Sequence, residues 1–370
     1  MIPIKMNKYN LDFRDCHYQE IEPKLRGKII QKRDICLIKS FEYQALDWIN
    51  KRFKDILIGN LLRNIIYEFN TFIKTFVFTV TLTITNDDKT ITIEKLKQIC
   101  RENNILGFSN KNKNELVTLV NSNTNLTGDT IDNLKCTILS NKINLILKNI
   151  FEDFYENQWD KIDTYDRYIF VTKHKLKTCP YCNMGYILIS ERDNKKKNGL
   201  RPEIDHFFPK SKYPYLAMSF YNLIPSCQVC NHTKKSKDTF KDELLSPYEI
   251  DESAFKFTYN IKNINLLEIQ KYNFDIDSLD IDIEEKNKQQ NNDYFKLDKL
   301  YKQHKDIVLE LIIKKRKYPK SYIEELKRSF KFTDDEIYRL LLCNYKNDDD
   351  LNKRPLSKLI RDITDELDFF

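Results

Sequence analysis

Apolar residues recur three and four positions apart through residues 40–75, "SFEYQALDWINKRFKDILIGNLLRNIIYEFNTFIKT". Leu46, Ile49, Phe53, Ile56 and Leu57 fall on one face of a long helix. The β-branched run "VFTVTLTI" (77–84) suits a strand, although so short an apolar run suits a buried helix as well. Helical spacing returns in "TIEKLKQICREN", "NKNELVTLVNSN" and "IDNLKCTILSNKINLILKNIFEDFYENQW", the last pair reading as one interrupted hairpin. The chain up to about residue 165 is therefore expected to be helical.

From "YIFVTKHKLKTCPYCNMGYILISERD" the period shortens to β-like runs separated by turns, ending near residue 245 at the break "LLSPYEIDE". The stretch "DIDSLDIDIEEKNKQQNND" (275–293) is acidic, then polar, and reads as a linker. Beyond it "YFKLDKLYKQHKDIVLELIIKKRKY", "SYIEELKRSF", "TDDEIYRLLLCNY" and "RPLSKLIRDITDEL" are helical, the third opening on an N-cap signal at Thr333. Three regions are predicted: residues 1–165, mainly helical; 166–246, a small mixed core; and 247–370, mainly helical. The fold class is α+β, dominated by helix.

Composition narrows the function classes. At 370 residues, 41% hydrophobic and 12% aromatic, most of the chain should fold. Six glycines argue against a glycine-rich phosphate loop. There is no run of eighteen apolar residues and no signal-like start, which predicts a soluble cytoplasmic protein without a membrane partner. Residues 171–242 hold fourteen Lys or Arg against six Asp or Glu, a net of +8 in a chain whose formal charge is +7. A basic island in an otherwise neutral chain is a footprint for a polyanion, although lysine-rich solvated faces are common.

Inside that island lie two Cys-x-x-Cys pairs, Cys179/Cys182 in "CPYC" and Cys227/Cys230 in "CQVC". A redox motif would explain one pair and leave the other idle. Four thiolates close a tetrahedral zinc site with no position left for water, so the zinc is expected to be structural. His174, five residues before Cys179, is a further candidate ligand. Between the pairs, "PEIDHFF" and "YNLIPSC" read as strands and "NHTKKSKDTFKDEL" as the start of a helix. A metal clamp around strand, loop, strand and helix sets Asp205 and His206 opposite the first helical turn, where Asn231 and His232 sit.

Those side chains suit phosphodiester hydrolysis. Imidazole is a base near neutral pH, Asp and Asn oxygens are hard ligands for Mg²⁺ or Mn²⁺, and nearby lysines can hold phosphates. Asp205 alone would pass for a turn acid, and Asn231 for a cap.

"EIDHFFPKSKYP" together with "NLIPSCQVCNHTKKSK", framed by the cysteine pairs, resembles the HNH, or ββα-metal, endonuclease family. It is similar in particular to the nuclease subunits of Septu-type and retron-linked anti-phage systems, over about residues 176–242. The resemblance implies His206 as the base that activates water and Asp205 as a ligand of a catalytic Mg²⁺ or Mn²⁺. Asn222 would orient the loop without touching the metal, and Asn231 would complete the metal site. His232, one residue along, leaves open which of the two faces the cation. Lys234 and Lys237 match basic positions near phosphate. Lys210 and Lys212 suit solvent as well as nucleic acid, and Glu203 is an outer neighbour. The resemblance further implies cleavage to 5′-phosphate and 3′-hydroxyl ends, with nucleic acid as partner; an effector subunit inactive until an ATPase partner releases it is a second reading of the same chemistry. Nothing in the chain resembles an RNA stacking platform, which favours DNA. The rival reading is a non-catalytic zinc module that binds nucleic acid or protein.

Overall fold

The computed structural model describes the chain except residues 39, 78–90, 124, 125, 127, 191, 193–198, 235, 236, 252, 263–275 and 286–290. The β-branched run at 77–84 thus lies almost wholly outside the described residues. The protein is mainly helical with two small antiparallel sheets, and no described helix is long and apolar enough to cross a membrane.

The chain forms two compact units, one of residues 1–15, 160–209 and 222–370, the other of 16–159 and 210–221. This division does not follow three consecutive regions. Residues 166–209 and 222–246 lie in one unit with the C-terminal helices, and residues 210–221 belong to the other.

The second unit is helical. Residues 40–75 form α2 (Phe41–Lys51), α3 (Phe53–Ile58) and α4 (Leu62–Val77), after the long α1 (Lys8–Asp34) that begins in the first unit. The anticipated single helix is broken twice, at Arg52, with φ −94° and ψ 10°, and at Gly59, which is extended at φ −74° and ψ 140°. The anticipated face is kept: Leu46, Ile49, Phe53, Ile56 and Leu57 are all fully buried. Next come α5 (Ile93–Glu102), α6 (Lys113–Asn121), closed by an Asn112–Glu115 capping box, and α7 (Asp129–Leu147). α7 runs on through two π-type turns, Lys148–Glu152 and Phe154–Gln158, whose junction residues keep helical angles. The wider turns bring Phe151, Phe154 and Tyr155 to buried positions, followed by Trp159.

His17, in α1, is fully buried in this unit. Its Nε2 lies 2.8 Å from the Met218 carbonyl, and its ring meets Trp159 and Phe220 edge-on.

In the first unit, α8 (Arg167–Lys173) forms where β-like runs were expected. Asp166 caps it by accepting from the Ile169 amide at 2.8 Å, and Phe170 and Val171 are buried. A local cap and tertiary burial override the strand preference of "YIFVT". β1 (Glu203–His206) pairs with β2 (Leu223–Ser226), and α9 (Gln228–Lys234) follows.

The expected linker contains β4 (Leu279–Glu285), paired with β3 (Phe255–Ile261) with Tyr259 opposite Ile281. Its "LDIDIEE" alternates: Leu279 and Ile281 are fully buried, Asp280 between them is half-buried, and Asp282 and Glu284 are exposed. The acidic composition masked that period. Of the later helices, Asp334–Leu342 begins with the expected cap, a Thr333–Glu336 capping box. Ser357–Glu366 packs beside β3, where Asp362 Oδ2 accepts from the Phe257 amide at 3.0 Å.

Burial lowers the pKa of His17 from 6.5 to about 4. The folded chain holds it neutral while the unfolded chain protonates it, so stability is lost as pH falls from about 6.5 towards 4. Between pH 7 and pH 5 this one group should contribute a loss of about 2 kcal/mol. The check is urea unfolding at both pH values, with His17→Gln showing a correspondingly smaller loss.

Candidate metal centre and catalytic hairpin

The site is built on two tight turns. In the first, Thr178 bridges to Tyr186, the Cys179 amide donates to the Gly185 carbonyl at 3.0 Å, and the Asn183 amide donates back to the Cys179 carbonyl at 2.7 Å. Asn183 takes the left-handed conformation that closes this knuckle, at φ 51°. Its side chain ties the turn into the C-terminal segment. Nδ2 donates to the Leu351 carbonyl at 3.1 Å, and Oδ1 accepts from the Lys358 amide at 3.1 Å. The second turn runs from β2 into α9 and carries Cys227 and Cys230.

The ligating atoms of Cys179, Cys182, Cys227 and Cys230 all lie within 4.8 Å of one another; among the described residues this is the one such cluster of His, Cys, Asp and Glu. All four cysteines are free thiols, three of them buried. Hydrogen bonding led by Cys179 draws Cys182 and Cys227 down, and the same bonding holds Cys230 up, while burial holds Cys179 up. Four crowded sulfurs at this spacing can coordinate zinc, expelling the remaining thiol protons. His174 is elsewhere, its ring between the Phe170 carbonyl (Nδ1, 2.9 Å) and the Tyr248 hydroxyl (Nε2, 2.8 Å).

The hairpin places Asp205 opposite Ile224 and His206 opposite Leu223. Asn222 is fully buried and closes the loop after β1. Its Oδ1 accepts from the Phe208 amide at 2.6 Å, and its Nδ2 donates to the Phe208 carbonyl at 3.1 Å. His206 ends β1 with 9% exposure.

Asp205, only 4% exposed, receives two contacts on the same oxygen. The Tyr181 hydroxyl donates to Oδ2 at 2.6 Å, and the Lys234 ammonium lies 2.8 Å from it. Lys234 was expected near phosphate; it is 5% exposed, and its ammonium also donates to the carbonyls of Phe207, at 2.7 Å, and His206. Burial lowers the Lys234 pKa, against the pull of the Asp205 charge. Burial and then that same charge raise the Tyr181 hydroxyl far above its ordinary value, so it serves as a donor.

The helix also begins earlier than expected. Asn231 sits inside α9 and is not its cap. Its Nδ2 donates to Glu203 Oε2 at 2.6 Å, and the exposed His232 lies 3.8 Å from Glu203 Oε1. Asn231 is thus paired with Glu203 at the start of β1, its Oδ1 being the atom suited to a cation. Lys237 is exposed with its ammonium 4.1 Å from the Tyr294 ring. In the helical unit, Lys210 pairs with Glu156 and lies over Tyr155, and the exposed Lys212 accepts from Asn144 through its carbonyl.

Tyr181 and the buried role of Lys234 were not foreseen. Tyr181 lies between the first two cysteines, and its ring stacks on Phe295 at 4.7 Å. The aromatic in "CPYC" was the available signal. Nothing in "NHTKK" distinguishes a buried lysine from an exposed one.

The arrangement is an antiparallel hairpin followed by a helix, closed by a four-sulfur cluster able to hold zinc. No protein-family model matches the chain, and no solved structure matches it. Over 45 residues, 12% of the chain, it is 42% identical to the Septu protein PtuB of Bacillus thuringiensis. The match spans 18% of that protein's length.

Removing one partner of a buried ion pair strands the other charge. Lys234→Met should therefore destabilise the protein by about 3–5 kcal/mol. In the Lys234→Met/Asp205→Asn double variant the loss should be clearly smaller than the sum of the single losses, as read by urea unfolding of all four chains. Additive losses would mean that the two groups do not act as a pair.

Proposed function

We propose that this protein is a metal-dependent endonuclease of the HNH type that hydrolyses phosphodiester bonds, with DNA as the expected substrate. The observation that carries the reading is the Asp205–His206 pair at the end of a hairpin whose two flanks hold the four cysteines. A binding module has no need of an acid and an imidazole set there together. Local likeness to a Septu protein supports a place in anti-phage defence.

Oxygen donors of the type offered by Asp205 and Asn231 would suit a hard divalent ion. Both contacts on Asp205 fall on Oδ2, which leaves Oδ1 for a cation, and Asn231 offers Oδ1 because its Nδ2 is engaged by Glu203. Bound there, Mg²⁺ or Mn²⁺ would neutralise charge developing on the phosphate and on the leaving oxygen.

The chain's own residues do the rest. His206 takes a proton from the attacking water. Lys234 holds the main-chain carbonyls of His206 and Phe207, fixing the end of the strand from which the imidazole projects. Asn222 sets the loop that follows. Tyr181 and Lys234 keep Asp205 in one orientation, so little reorganisation is needed during reaction. Zinc on the four sulfurs has a structural role, because a saturated site gives water no entry.

His206→Ala should lower cleavage of plasmid and single-stranded substrates in Mg²⁺ or Mn²⁺ by about two to four orders of magnitude. Zinc content and the circular dichroism spectrum should not change. Cleavage at the parent rate in that variant would remove His206 from the role of base.

A further inference from the structure

A second feature of the same unit lies far along the chain from the hairpin. Residues 314–331, "KKRKYPKSYIEELKRSFK", hold eight Lys or Arg against two Glu, a net of +6. The helix Lys305–Lys317 ends in four consecutive bases, and Lys320–Phe330 follows after the Tyr318–Pro319 turn. Some of these cations are occupied: Lys320 pairs with Asp368 at 2.7 Å, Lys327 with Asp334 at 2.5 Å and Arg328 with Glu325 at 2.6 Å. Lys314, Arg316 and Lys331 make no ion pair with any described residue.

Among these cations stand two stacked ring pairs. Tyr318 and Tyr322 lie 5.4 Å apart at 28°, and Phe330 and Phe332 lie 5.8 Å apart at 21°. Tyr322 is 41% exposed and Phe330 64%. The helix dipole accounts for bases in a last turn. It does not account for aromatic rings kept in solvent. Cations that track phosphates, interleaved with open ring faces on which bases stack, are the two requirements for holding an unpaired strand.

We propose that residues 314–332 form a surface for single-stranded nucleic acid, with phosphates on Lys314, Arg316 and Lys331 and bases on Tyr322 and Phe330. The proposal rests on the nuclease reading for its class of substrate. It goes beyond that reading by placing a strand-binding surface outside the catalytic hairpin and by selecting unpaired strands. The ring pairs that the sequence did not reveal are made at the two ends of the helix Lys320–Phe330.

Binding is measured by fluorescence anisotropy on the full chain carrying His206→Ala, without added divalent ion, so that it is read apart from cleavage. The probes are a labelled single-stranded oligonucleotide, the matching duplex and vesicles of anionic phospholipid. Lys314→Glu/Arg316→Glu/Lys331→Glu should weaken single-strand binding at least about tenfold and flatten its dependence on log salt by about 2, for three lost phosphate contacts. Tyr322→Ala/Phe330→Ala should weaken the single strand by about tenfold or more and the duplex by less. Single-strand binding within twofold of the parent in both variants would overturn the proposal. So would binding of vesicles in place of nucleic acid, or loss confined to the duplex. Loss of strand binding in the variants would uphold this surface even if the chain with His206 intact cut nothing, an outcome that counts against the nuclease alone.

Discussion

Four sulfurs held within 4.8 Å of one another bring together two segments separated by 44 residues of sequence. A two-stranded hairpin of four residues per strand is marginal in water by itself. A metal on the four sulfurs would close its ends and remove much of the freedom the intervening chain would otherwise have. The rest of the site depends on that closure. Cys179 and Cys182 fix the knuckle that carries Tyr181, and Cys227 and Cys230 fix where α9 starts and so where Lys234 reaches Asp205. The knuckle is also tied into the unit from its other side, where the Tyr301 hydroxyl donates to the Cys182 carbonyl at 2.6 Å.

Within that frame the electrostatics are local. A lysine and an aspartate, each about 95% buried, sit together, and the lysine spends its other donors on two carbonyls of the same strand end. An ion pair this deep adds little net stability compared with apolar packing, and its use is to fix geometry. It fixes one carboxylate oxygen of Asp205 and the backbone of His206, the two groups the proposed chemistry needs held still. Glu203 does the same at the other end of β1, through Asn231.

Much of this was legible in the sequence. The cysteine spacing pointed to a cluster, "PEIDHFF" and "YNLIPSC" to the paired strands, and Thr333 with Glu336 to a capped helix. What was missed has physical causes. "YIFVT" has strand propensity, but Asp166 caps it and burial of Phe170 and Val171 makes it a helix. "LDIDIEE" looked like a linker because its acids drew attention from the period-two burial of Leu279 and Ile281. Lys234 was indistinguishable from its neighbours because burial of a lysine is decided by a partner 29 residues away. The break at Gly59 depends on a single residue within an otherwise uninterrupted apolar face.

The claim on which the account rests is that the four cysteines bind one zinc and so hold the hairpin. X-ray absorption at the zinc edge of the purified full chain tests it directly. The account predicts one zinc per chain with a single shell of four sulfurs at about 2.3 Å. A folded chain without zinc, or a shell containing nitrogen or oxygen donors, would contradict it.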